Sequence, residues 1–152
     1  MDPDLRRIRE HRVQYQTDGI DVGDLHPEPI EQWRRWHADA VELGVDEPNT
    51  MILSTVDLHG APDARAVLVR GAGPRGLVFF TNYESAKSHQ LTARPVAAAT
   101  FAWVDLHRQV RARGSVERVS DEESDDYFAT RPRATQVGAW ASPQSEPLRD
   151  RD

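Results

Sequence analysis

The sequence predicts a mainly β fold with flanking helices, an antiparallel, Greek-key-like barrel. Two observations point there. Between residues 50 and 119, runs of strand length rich in β-branched and apolar residues follow one another, most of them through short turns. Helical periodicity is confined to the stretches before, between and after those runs, which places the helices outside the sheet.

Asp4 to Tyr15 reads as a short charged helix, and Asp18 to Pro29 as a loop broken by Gly19, Gly23, Pro27 and Pro29. Ile30 to Leu43 carries Ile30, Trp33, Trp36 or His37, Ala40 and Val41 at helical spacing and stops at Gly44. A turn at Glu47-Pro48-Asn49 leads into a strand, Thr50 to Val56. The hairpin Asp57-Leu58-His59-Gly60 feeds a second strand, Asp63 to Arg70. A Gly- and Pro-rich turn from Gly71 to Gly76 precedes a third, Leu77 to Thr81. Ser85 to Ala93 is expected as a helix, Val96 to Trp103 as the fourth strand and Arg108 to Val119 as the fifth. In that last strand Val110, Ala112, Gly114 and Val116 alternate with Gln109, Arg111, Arg113 and Ser115, so one face is expected to be buried. Ser120-Asp-Glu-Glu123 is a capping box that opens a helix through Tyr127. Pro132 interrupts it, and Thr135 to Ala141 resumes. Three regions follow: 1–29, a helix and loop able to cover a substrate; 30–145, the barrel domain; 146–152, a loose polar tail.

The chain has 152 residues and a formal net charge of -6, with 38% hydrophobic and 29% charged residues, values of a folded single domain. The acidic balance argues against non-specific nucleic-acid binding. With no cysteine there is no disulfide, thiolate catalysis or zinc-cysteine site. No apolar run is long enough to cross a membrane, and MDPDLRRIREHR lacks the apolar stretch of a signal peptide, so the expected location is cytoplasmic. The six histidines show no metal-ligand spacing, and no metal is expected.

The chemically suggestive residues are cations beside strand ends and helix starts. Arg65 and Arg70 bracket the second strand, and Arg131 and Arg133 flank Pro132 just after Tyr127. Lys87, the only lysine, falls in the first turn of a helix, where it opposes the helix dipole unless an anion sits there. Two such groupings suit two phosphorylated ligands, or they are solvated surface arginines. Trp103 and Trp140 offer faces to a planar ring, or pack in a core.

Longer motifs sharpen this. Glu47-Pro48-Asn49-Thr50-Met51 with Ser54-Thr55-Val56-Asp57, then Arg65-Ala-Val-Leu-Val-Arg70, Val78-Phe-Phe-Thr-Asn82 with Ser85-Ala-Lys87, and Leu106-His-Arg-Gln109-Val stand in a fixed order. Tyr127-Phe-x-x-Arg131-Pro-Arg133-x-Thr135-Gln136-x-Gly138-Ala-Trp140-Ala-Ser142-x-Gln144-Ser145 completes it. This series resembles the pyridoxamine 5'-phosphate oxidase family from about Arg12 to Ser145. The resemblance implies an FMN-binding split β-barrel that works as a homodimer with FMN between subunits. The implied FMN contacts are Arg65, Ala66, Val67, Leu68, Arg70, Phe80, Thr81, Lys87, Gln109, Gln144 and Ser145. The implied substrate contacts are Arg12, Tyr15, Arg70, Tyr127, Arg131 and Thr135. The implied reaction oxidises pyridoxamine or pyridoxine 5'-phosphate to pyridoxal 5'-phosphate, with O2 as acceptor and H2O2 as product. No side chain is assigned as a strong acid or base, since the cofactor performs the redox step.

The sequence departs from the family pattern at several places. Arg70 stands where many members have Lys, Ala86 where many have Arg, Phe80 in place of a common Tyr and Thr135 in place of a common Ser. Family members also continue past the Gln144-Ser145 pair with further FMN- and substrate-binding residues, so the chain is expected to be a fragment or a shortened relative. A flavin oxidase acting on a phenazine-type ring, and a non-catalytic flavin or pyridoxal-phosphate module, are the alternative readings.

Overall fold

The computed structural model describes residues 3–17, 19–141 and 144–147. Ser142 and the end of the polar tail, 148–152, lie outside the described residues. The elements run α1 (Pro3–Glu10), α2 (Pro29–Glu42), β1 (Thr50–Val56), β2 (Pro62–Gly73), β3 (Gly76–Phe79), α3 (Ala86–Ala93), β4 (Val96–Trp103), β5 (Arg108–Ser115), α4 (Asp121–Thr130) and α5 (Arg133–Ala141).

All strand pairs are antiparallel, in the order β3-β2-β1-β4-β5. The first three strands form a meander. The connection through α3 then carries β4 back to lie beside β1, which is the Greek-key arrangement. β5 adds to β4 as a hairpin. The result is a curled half-barrel: among the described residues, the edges β3 and β5 do not pair with each other.

β1 alternates strictly. Met51, Leu53 and Thr55 are buried, while Ile52 is 41% exposed. That parity defines two faces. The inner face carries Met51, Leu53, Val69, Phe101 and Trp103 and is closed by Trp33 and Ala40 of α2. Phe101 has its ring 5.2 Å from Trp33, edge on, and 5.8 Å from Trp103. Trp103 is thus a core residue, and its indole N–H donates to the Pro48 carbonyl at 2.9 Å. Arg108 ties β5 to α2 by an ion pair with Asp39 at 2.6 Å and lies over Trp36. Across the outer face, register aligns Ala66, Ile52, Thr100 and Arg111 in one row and Ala64, Ser54, Ala98 and Arg113 in the next.

Three expectations shift. The N-terminal helix stops at Glu10 rather than Tyr15: residues 11–17 are exposed and bury too little surface to reward helix formation. Strand β2 runs on to Gly73, since β3 pairs back as far as Gly73↔Gly76. Strand β5 ends at Ser115, and Ala112 and Gly114 are exposed, so the alternation there buries only its first half. Among the described residues no helix is long and apolar enough to cross a membrane.

Phe101→Ala should lower unfolding free energy by about 3–5 kcal/mol, the cost of an uncollapsed aromatic cavity. Ile8→Ala on exposed α1 should stay within roughly 0.5 kcal/mol. Urea denaturation of both variants checks the pair.

Candidate anion and flavin site

The turn after β3 builds the site. The Asn82 side chain accepts from the Glu84 N–H at 2.8 Å, and the Asn82 carbonyl accepts from the hydroxyls of Ser85 (2.7 Å) and Ser88 (2.9 Å). These bonds fix the chain as it enters α3. Ser85 takes the N-cap position in extended conformation, but its hydroxyl points back to the turn and does not cap the helix. The helix start therefore keeps its positive end.

Lys87 sits one residue inside that start and is 8% exposed. Its ammonium donates to Thr81 Oγ1 at 3.1 Å and Gln144 Oε1 at 3.0 Å, both neutral. The Ala86 N–H donates to Ser145 Oγ at 3.3 Å. So Gln144 and Ser145, distant in sequence, close over the helix start without neutralising it. Burial lowers the Lys87 pKa below the ordinary lysine value, the nearby Arg65 cation lowers it further, and Asp63 partly offsets this. Among the described residues, this buried cation at a helix N-terminus bonds to neutral oxygens, an electrostatic arrangement that an anion completes.

Arg65 lies beside this cradle on the inner parity of β2. It donates to the Leu53 carbonyl at 3.2 Å, to Thr55 Oγ1 and to Gln90 Oε1 at 3.0 Å, and it pairs with Asp63. Gln90 Nε2 also donates to Asp63 at 3.1 Å. Those contacts hold the Asp63 carboxyl below its usual pKa, with the Gln90 hydrogen bond the largest cause and Arg65 assisting.

Phe80, next to Thr81, stacks on Tyr127 of α4 with ring centroids 3.8 Å apart and planes 6° from parallel. This joins the two basic groupings: Lys87 and Thr81 on one side, and Tyr127 with Arg131, whose guanidinium lies over Phe128, on the other. Thr135 lies in the first turn of α5, its N–H bonded to the Pro132 carbonyl.

Other expected site residues lie elsewhere. Ala66, Leu68 and Gln109 fall on the outer face, Gln109 opposite Ala102 on β5, whereas Arg65 and Val67 face inward. Arg70 is the extra residue of a β-bulge between Val69 and Gly71 and is exposed. Bulges re-aim a side chain, and no local residue pattern marks this one. Arg12 is exposed, and Tyr15 packs on His107 at 4.2 Å. Trp140 is 84% exposed. An open groove on the outer face, lined by Glu47, Thr50, Ile52, Thr100, Ala102 and Trp103, excludes the Lys87 cradle. Among the described residues no group of three or more potential ligands could hold a metal.

Asn82, Ser85, Thr55, Asp63 and Gln90 escaped the sequence reading as site residues. The Asn-x-x-Ser spacing ahead of a helix, and Gln90 three positions after Lys87, were usable signals. Asp63 gave none, because its role depends on strand pairing.

A Greek-key half-barrel with an anion cradle at a helix start defines the class. Comparison with known proteins names the family: residues 38–152 match the model of the pyridoxamine 5'-phosphate oxidase family. The chain is 49% identical over 148 residues to a pyridoxine/pyridoxamine 5'-phosphate oxidase of Cupriavidus taiwanensis, covering 97% of this chain and 70% of that protein. It is 48% identical over 147 residues to the corresponding protein of Paraburkholderia xenovorans, covering 97% and 69%. Among solved structures, PhzG from Burkholderia lata, in complex with tetrahydrophenazine-1-carboxylic acid, superposes with a TM-score of 0.83 at 28% identity, over 88% of this chain and 67% of that one. A pyridoxamine 5'-phosphate oxidase-related, FMN-binding protein of Nostoc punctiforme shares the fold at a TM-score of 0.58 and 21% identity, over 82% and 76%. The chain belongs to the pyridoxamine 5'-phosphate oxidase family.

Because its folded pKa is lowered, Lys87 binds fewer protons folded than unfolded between the shifted and ordinary values, and stability should rise with pH across that window. Lys87→Met should flatten that rise and raise the urea midpoint of the ligand-free protein at pH 7, where the buried charge is costly. Unfolding curves at pH 7 and at about pH 10, near the ordinary lysine pKa, test both.

Proposed function

We propose that this chain carries the flavin site of an FMN-dependent oxidase that converts pyridoxamine or pyridoxine 5'-phosphate to pyridoxal 5'-phosphate. FMN is the cofactor. The observation that supports this most is the buried Lys87 ammonium at the start of α3, whose hydrogen-bond partners among the described residues are neutral oxygens. A terminal phosphate fits that cradle in charge and in chemistry. The chemistry FMN would supply there is a two-electron redox couple between the substrate's C4' and O2, with H2O2 as product; the amine substrate also consumes water and releases ammonia.

The chain's own residues bind and orient. Lys87, Thr81 and Ser145 hold the cofactor phosphate, with the Ala86 N–H at the same helix start. The Phe80–Tyr127 stack sets the spacing between cofactor and substrate groups. Tyr127, Arg131 and Thr135 receive the substrate phosphate, Arg70 reaches the site from its bulge, and Arg12 and Tyr15 cover the substrate from the N-terminal segment.

A homodimer is part of this reading. In one protomer, Gln109 and the Lys87 cradle belong to opposite faces of the sheet, with β1 and β4 between β2 and β5. One flavin meets both sets only if a second chain supplies one of them. The outer face, with Ile52, Ala66 and Ala98 presented, is suited to such a partner. Similarity to PhzG supports a second reading, a flavin oxidase acting on a phenazine-type ring.

Adding pyridoxine 5'-phosphate to the FMN-loaded protein without oxygen should bleach the oxidised flavin band, and air should restore it. Arg131→Ala should raise KM for the phosphorylated substrate roughly 10- to 100-fold, the worth of one charge-assisted hydrogen bond. Bleaching by a phenazine precursor but not by the vitamin would favour the second reading.

A further inference from the structure

The Arg65 guanidinium has five N–H donors, and four are engaged within the protein, by the Leu53 carbonyl, Thr55, Asp63 and Gln90. An anion arriving at the Lys87 cradle thus finds this second cation already committed. Of its four acceptors only Asp63 is charged, and its side chain is 49% exposed, against 19% for Arg65. The carboxylate is thus the more solvent-exposed member of the pair. Gln90 bonds to both members of the pair and lies on α3 three residues from Lys87, which ties the pair to the cradle.

We propose that Asp63 is a resident counter-anion that sets the affinity of this site for a phosphate monoester, by occupying Arg65 and repelling the ligand's own negative charge. The inference rests on the FMN reading above. Both effects act in one direction. A phosphate gains more than the one remaining Arg65 donor by displacing the carboxylate, and it stays near a like charge if it does not. Loss of the Asp63 charge therefore strengthens phosphate binding. The pair also explains how two adjacent cations coexist before a ligand arrives: Asp63 neutralises one, and Lys87 bears the remaining positive charge.

Flavin-fluorescence titrations of the full chain test this, with FMN as the probe and riboflavin, which lacks the phosphate, as the control. Asp63→Asn keeps a hydrogen-bond acceptor for Arg65 and removes the charge. It should tighten FMN about two- to fivefold, the factor expected for a partly exposed charge pair, and leave riboflavin unchanged. Asp63→Ser should act in the same direction, and in an Arg65→Ala background the gain from Asp63→Asn should shrink. FMN binding that is weaker or unchanged in both Asp63 variants would overturn the proposal, as would an equal gain for riboflavin or a full gain without Arg65. Failure of the unaltered chain and both variants to bind either flavin would overturn the flavin reading itself and this inference with it.

Discussion

The site depends on one unbalanced charge. Lys87, the only lysine, is drawn into the protein at the start of α3 with Thr81 and Gln144 as its hydrogen-bond partners. Two neutral oxygens accept from its three donors and do not balance its charge, and burial makes that charge costly. The surrounding architecture holds it there: the Asn82 turn fixes the helix start, and the Gln144-Ser145 pair folds over it from the far end of the chain. A fold that keeps a cation in such a place gives up stability for binding, as functional sites commonly do.

The Greek-key crossover makes this possible. In this topology α3 makes the crossover from β3 to β4 and packs against β1, with Gln90 reaching β2. Arg65, Asp63 and Gln90 then meet from a strand and a helix. The same topology leaves the outer face, with Gln109, on the other side. If Gln109 serves the flavin as proposed, one chain presents two half-sites, which is the physical basis for the proposed dimer.

Much of this was legible in the sequence, for reasons that differ by element. β1 and β4 were readable to the residue because their apolar runs are short and bounded by turns. At Ser120 half of the capping box forms, with Ser120 Oγ accepting from the Glu123 N–H at 3.1 Å, while the Glu123 carboxylate pairs with Arg75 at 2.8 Å instead of reaching back. Lys87 stood out because a basic residue opposes the dipole in a helix's first turn. The bulge at Arg70, the stack of Phe80 on Tyr127 and the Asp63–Gln90 hold on Arg65 were not readable, since each arises from strand register or from packing between distant segments. The exposed second half of β5 belongs to the same group: its alternation is real, but within this chain nothing described covers it.

The most direct test uses the fact that Lys87 is alone. In protein labelled with 15N at the lysine side chain, NMR should show one ammonium resonance, and its titration reports this site without ambiguity. The account predicts a Lys87 pKa below the ordinary lysine value in the ligand-free protein and a clear rise when FMN binds, because the phosphate stabilises the charged form. An ordinary pKa that FMN leaves unmoved would contradict it, and the anion would then have to bind elsewhere.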